Sequence, residues 1–161
     1  MNLIAKLLPP ANILLDLEAS SKKRLFELAA QMFEANQQLN QRIVFDSLFA
    51  REKLGSTGLG QAVAIPHGRI KNLREATGAF IKPLEPVSFD APDGRPVSLI
   101  FILLVPEQAT DLHLQILGEL AEMFSDKALR DKLLASHDAN EIYQLIAGWG
   151  ADDTDHRSTA I

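Results

Sequence analysis

The chain has 161 residues, 47% hydrophobic and 23% charged, and a formal net charge of −5. That length and balance describe one soluble globular domain with a full-sized core. Net acidity argues against the basic face that nucleic-acid binding uses, and the lack of any cysteine excludes disulfides, thiolate metal sites and a cysteine nucleophile.

The first ten residues, with Pro9-Pro10 at their end, contain no basic segment followed by a sustained apolar run, so they do not read as a secretion signal. The strongest apolar run, Leu99–Val105, is too short for a membrane-crossing helix. A cytoplasmic location is therefore expected, with no membrane insertion. Asn12–Glu18 is aliphatic and predicts a first strand at a sheet edge. Ser20-Ser21 cap a helix to about Leu39, with Leu25, Leu28, Ala29, Met32 and Phe33 on its buried stripe. Asn40 caps a second helix, from about Gln41 to Leu54. Its apolar side is Val44 and Leu48 with Phe45 or Phe49, and Gly55 suits the position just past its end. Arg51, in the last turn, complements the helix dipole, a role that needs no ligand.

The loop Gly55-Ser-Thr-Gly-Leu-Gly60 leads into a short strand, Ala62–Ile65, which Pro66 stops. A polar loop from Arg69 to Glu75 follows, then a strand over Thr77–Pro83. Val87–Phe89 predicts a short strand entering the turn at Pro92-Asp-Gly94. Val97–Val105 lacks alternation, as a strand buried on both faces should, and is expected at the sheet centre with helices above and below. From Ala109 the pattern is helical. One helix runs to about Phe124 with Leu117, Leu120, Ala121 and Phe124 on its stripe. Asp126 opens another carrying Leu129, Leu133 and Leu134. Ser136 or Asp138 caps the last, with Ile142, Leu145 and Ile146. Residues 1–150 thus read as one α/β domain, a layered sandwich, and residues 151–161 as a polar, flexible tail.

His67-Gly68, directly after Pro66, places an imidazole on the rim of the sheet. Such a group can exchange a proton, bind a metal or attack an electrophile. His113 shares the apolar stripe of its helix, where the plain reading is a core residue. It also lies in the first turn, where free N–H groups attract anions. His137 and His156 fall at a helix junction and in the tail and read as solvated. The four histidines lack metal-ligand spacing, so no metal is expected. The glycines at 55, 58 and 60 match neither a dinucleotide nor a Walker loop. They read as a turn, or as a looser backbone cradle for a phosphoryl group. No nucleophile elbow of the Gly-x-Ser-x-Gly type is present.

Arg51-Glu-Lys-Leu-Gly-Ser-Thr-Gly-Leu-Gly60, Ala64-Ile-Pro-His-Gly68, Leu104-Val-Pro106 and Leu112-His-Leu114 closely resemble the enzyme IIA domains of the fructose/mannitol/nitrogen class. These belong to the phosphoenolpyruvate-dependent phosphotransferase system, and the likeness runs from about residue 3 to residue 148. The resemblance implies a mixed sheet with helices on both faces. It implies that His67 accepts a phosphoryl group, on its Nε2 (tele) nitrogen, from a phosphohistidine on a small HPr-like carrier, itself supplied by enzyme I and phosphoenolpyruvate. His113 would be the second active-site histidine and Arg51 the phosphate-binding arginine. Ser56, Thr57 and Gly58 would help position the group, and no cofactor would be needed. The wording around Arg51 is similar to the nitrogen-related branch, which implies a regulatory protein whose targets sense phosphorylation. A sugar-specific IIA passing phosphate to a IIB domain, and a binding module without transfer, are the alternatives.

Overall fold

The computed structural model describes residues 2–108 and 110–150. Its sheet is organised around the strand β6 (Leu99–Pro106), which is buried from Leu99 to Val105. The other strands are β1 (Ile13–Leu17), β2 (Gly58–Gly60), β3 (Val63–Ala64), β4 (His67–Ile70) and β5 (Thr77–Pro83). The path runs β1-β5-β6-β3-β2, with β4 also paired to β6. β1 is therefore an edge, and β6 the centre, as the sequence implies. The sheet is mixed: β5 is antiparallel to β6, whereas β3 and β4 run parallel to it.

Alternation along β6 explains why its sequence shows none. Leu99, Phe101, Leu103 and Val105 pack into one core layer with Ile4, Phe80, Ile116, Leu120, Phe124, Ile142 and Ile146. Ile100, Ile102 and Leu104 pack into the other with Leu25, Phe26, Phe33, Val44 and Leu48. Successive side chains point to opposite faces, and both faces are covered. The first layer belongs to α1 (Leu3–Leu7), α4 (Thr110–Phe124), α5 (Lys127–Ala135) and α6 (Ala139–Gly148), the second to α2 (Lys22–Gln37) and α3 (Gln41–Leu54).

Most helix starts follow the predicted caps. Ser21, Asn40, Asp126 and Asp138 each accept a hydrogen bond from a backbone N–H of the first turn. Several details differ from expectation. α1 was not foreseen; Asn2 caps it, and Ile4 and Leu7 are buried. On α4 the buried phase is His113, Ile116, Leu120, Met123 and Phe124, so Ala121 faces solvent. Leu134 of α5 is exposed as well. Gly55 follows α3 with φ 161°, an extended conformation open to any residue, rather than a left-handed cap. Val87 and Val97 form a single bridge in place of a short strand. The tail, with His156, lies outside the described residues.

The largest correction concerns His67. It begins β4 instead of leaving the end of a strand, and Arg69 and Ile70 belong to that strand, not to a loop. Pro66 has no N–H to donate, yet its carbonyl accepts a hydrogen bond from Leu103 N–H at 2.9 Å. The ladder on β6 thus survives the proline, and two short strands share one edge. The glycine loop also gains structure, because Gly58–Gly60 pairs antiparallel with β3.

At the far end of β5, buried Lys82 donates to the carbonyls of Leu134 and Ser136, both at 2.6 Å. The ammonium satisfies carbonyls that the end of α5 leaves unpaired. Burial lowers its pKa from the ordinary lysine value, and the Asp16 charge offsets part of that shift.

Candidate functional site

Register decides which way each group at the site faces. His67 lies opposite Leu103, and Gly68 opposite Leu104. His67 therefore projects into the α4 layer and Gly68 toward α3. The His67 ring meets that of His113, a residue only 8% exposed, edge to face with centroids 5.3 Å apart. From the other layer, Arg51 in the last turn of α3 donates through Nε to His67 Nε2 at 3.2 Å. Its Nη1 donates to the carbonyl of Gly55 at 2.9 Å. The three residues singled out from sequence come together.

These contacts fix the tautomer of His67. Guanidinium has no acceptor, so Nε2 must carry the lone pair, and the proton sits on Nδ1. Nδ1 lies 2.9 Å from the Ile65 carbonyl, which accepts that proton's hydrogen bond. Burial holds the His67 pKa below the ordinary imidazole value. The bond to Ile65 works against that, Arg51 adds to it, and the Glu52 charge opposes it. His113 is also held low, by burial first and then by the charges of His67 and Arg69. Among the described residues, its buried Nδ1 has no hydrogen-bond partner. A neutral, oriented imidazole with one available nitrogen is a nucleophile near pH 7.

Ser56, Thr57 and Gly58 hydrogen-bond within the protein. Thr57 donates its hydroxyl to Glu52 Oε1 at 2.5 Å and its N–H to Oε2 at 2.8 Å. The Ser56 hydroxyl donates to the Phe89 carbonyl, and Gly58 N–H donates back to that hydroxyl oxygen. The Ser56 and Thr57 hydroxyls and the Thr57 and Gly58 N–H groups are thus taken up by Phe89, Glu52 and Ser56, and the Gly55 carbonyl of the same loop accepts from Arg51. Gly58 is required by space: a Cβ there would sit 2.8 Å from the Ala91 side chain.

Glu52 is the residue that sequence reasoning missed. It continues the Val44, Leu48 stripe at four-residue spacing, so a carboxylate falls on the buried face of α3. An acidic residue in a last turn also opposes the helix dipole. Both signals were present in the sequence. His137 is exposed. Among the described residues, no group of three or more His, Cys, Asp or Glu side chains could hold a metal ion, and no helix is long and apolar enough to cross a membrane.

A family model described as phosphoenolpyruvate-dependent sugar phosphotransferase system, EIIA 2, matches residues 6–149. The chain belongs to that family. It is 44% identical over 145 residues to a nitrogen regulatory protein of Bradyrhizobium diazoefficiens, covering 89% of this chain and 94% of that one. Its fold matches the crystal structure of nitrogen regulatory protein IIA-Ntr from Neisseria meningitidis with a TM-score of 0.85 at 57% identity. That match covers 89% of this chain and 99% of the other. The mannitol enzyme IIA of Escherichia coli, seen in complex with phosphorylated IIB, shares the fold with a TM-score of 0.73 at 23% identity, over 86% and 95% of the two chains. The chain is therefore a component of a phosphotransferase system, and it is similar to the nitrogen regulatory proteins.

Proposed function

We propose that this protein accepts a phosphoryl group on His67 Nε2 from the phosphohistidine of a small HPr-like carrier, and that its phosphorylation state is read by regulatory partners. The observation that carries the proposal is the clamped ring: Nδ1–H given to Ile65 at 2.9 Å and Nε2 facing Arg51 at 3.2 Å. The Nε2 lone pair forms the new N–P bond while the donor's N–P bond breaks. The electron pair of that bond stays on the donor nitrogen, and a donor ring protonated at its other nitrogen departs as neutral imidazole. The product ring keeps its Nδ1–H, whose bond to Ile65 strengthens as the ring becomes cationic, so no proton need move.

Exchange between two histidines is nearly balanced in bond energy. Catalysis then consists of alignment and positive charge around the transferring oxygens. The Arg51 guanidinium offers several donors in a planar fork suited to those oxygens. His113, adjoining the ring, serves as a further donor through its Nε2–H. The added group brings about two negative charges, by analogy with other phosphorylated side chains, and this is the signal that partners would distinguish. Similarity to nitrogen regulatory proteins supports the regulatory branch over sugar transport.

The test is incubation with phosphoenolpyruvate, enzyme I and an HPr-like carrier. Acid-labile, base-stable label is expected on the wild type and not on His67→Ala. Label that persists in His67→Ala overturns the assignment. Capture by a sugar-specific IIB alone, in pull-downs with phosphorylated and unphosphorylated protein, would instead place it in transport.

A further inference from the structure

We propose that Glu52 is a positioning residue for phosphoryl transfer: through Thr57 it braces the Gly55–Gly60 loop, whose first carbonyl holds Arg51 against His67. The proposal rests on His67 being the phosphoryl acceptor.

Glu52 is 5% exposed and lies on the apolar stripe of α3. An ionised carboxylate there is costly unless its oxygens are ligated, and an apolar residue of similar size would serve packing as well. Its oxygens are ligated. Thr57 supplies both its hydroxyl and its N–H, at 2.5 and 2.8 Å, and Lys22 from α2 supplies its ammonium at 3.3 Å. Lys22 also lies 3.9 Å from Asp90 and over the Phe89 ring, while the Ser56 hydroxyl donates to the Phe89 carbonyl. Both donors of a single loop residue thus converge on one side chain, which fixes the backbone at that point.

Arg51 precedes Glu52 directly, so their side chains diverge by about 100° around the helix. Arg51 meets the loop at Gly55 and Glu52 meets it at Thr57. Two anchors two residues apart keep the Gly55 carbonyl in place. That carbonyl binds Nη1, which leaves Nε directed at His67 Nε2. A long, flexible arginine is ordered before any donor arrives, the kind of support that reactive groups require.

Two measurements test this: single-turnover transfer from phosphorylated HPr, and ¹⁵N-resolved titration of His67. The charged and titratable groups around the ring are Arg51 and Glu52 on α3, His113 on α4 and Arg69 on β4. Thr57→Val removes none of these four groups, so a moved titration reports geometry. In this variant transfer should slow about tenfold, and the His67 pKa should rise as Arg51 withdraws. Thr57→Ser should restore both readouts. In an Arg51→Ala background, Thr57→Val should change neither. Glu52→Ala should slow transfer about as much as Arg51→Ala, roughly 10²-fold. Wild-type rate and titration in a folded Thr57→Val or Glu52→Ala variant overturn the proposal, as does an additive loss in the Arg51→Ala background. A wild type that takes no label at His67 would sink the phosphoryl reading instead, and the titrations would still report the brace.

Discussion

Replacing Gly68 by alanine probes how closely α3 must approach β4 for the reactive groups to meet. An added Cβ would overlap the Ser47 hydroxyl and would lie 3.2 Å from Ser47 Cβ and 3.3 Å from its carbonyl carbon. Ordinary contacts between carbons fall at about 3.5–4.0 Å. The Ser47 hydroxyl would have to leave the Arg69 carbonyl, to which it donates at 2.9 Å, and the helix would have to retreat by a few tenths of an ångström. Overpacking of this kind costs about 1–3 kcal/mol, and the lost hydrogen bond about 1 kcal/mol more. For a chain of this size each kcal/mol lowers the melting temperature by about 2–4 °C. Function should suffer in parallel. Arg51 is one helical turn beyond Ser47, and its 3.2 Å bond to His67 is already at the long end of the normal range. Phosphoryl acceptance should slow about tenfold. The assay pairs thermal melts with single-turnover transfer for Gly68→Ala and for Ser47→Gly/Gly68→Ala. In the double variant the rate should largely recover, while stability recovers less because glycine inside a helix costs about 1 kcal/mol. A Gly68→Ala protein with wild-type melting and wild-type rate, or a double variant with no recovery of rate, would refute the reasoning.

The pH dependence follows from the direction of two shifts. His67 and His113 are both held below the ordinary imidazole pKa, mainly by burial. The folded state binds those protons less readily than the unfolded chain, so their contribution to stability is complete above the unfolded pKa of about 6.5 and is lost as pH falls below it. Melts across pH 5–8 should show that loss, and His67→Ala/His113→Ala should flatten it; an equally steep double variant would contradict the assignment. The acceptor rate should titrate with a midpoint below the ordinary imidazole pKa, and a midpoint above about 6.5 would mean that burial does not control the ring. His113→Ala should slow transfer by roughly 10–10²-fold while labelling of His67 persists, and an unchanged rate would return His113 to a packing role. Lys82→Met removes two hydrogen bonds at the end of α5, remote from the site, and should cost about 2–4 kcal/mol in urea melts with transfer rates preserved. Impaired transfer there would show coupling that the contacts do not predict.

The fold was readable where a residue type carries its own geometry. Ser21, Asn40, Asp126 and Asp138 cap helices because their side chains reach backbone N–H groups locally. Leu99–Val105 announced its burial through the absence of polar positions. His67, His113 and Arg51 were legible as separate candidates, and the family likeness grouped them. What escaped depended on partners distant in sequence. The continuation of the sheet past Pro66 rests on a carbonyl that Leu103 binds, and no local pattern near Pro66 reveals Leu103. The loop hydroxyls looked available for phosphate because Glu52 and Phe89, which occupy them, become neighbours only once α3 and the Phe89 segment fold against the loop. On α4, His113, Leu120 and Phe124 are buried as their spacing implied, but Ile116 and Met123, rather than Ala121, complete the buried face.

The hydrogen bond between Arg51 and His67 has a consequence for selectivity. The lone pair that makes the ring reactive is covered by a cation while the protein waits. A neutral electrophile, or a proton, gains nothing by approaching a nitrogen already occupied by a guanidinium. An incoming group that bears its own anionic oxygens offers the arginine better acceptors and draws it away, uncovering the nitrogen at the moment of contact. In the proposed transfer the nucleophile would thus be unlocked by the charge of its proper reactant, and the same arginine that shields the resting ring would become a ligand of the group that displaces it.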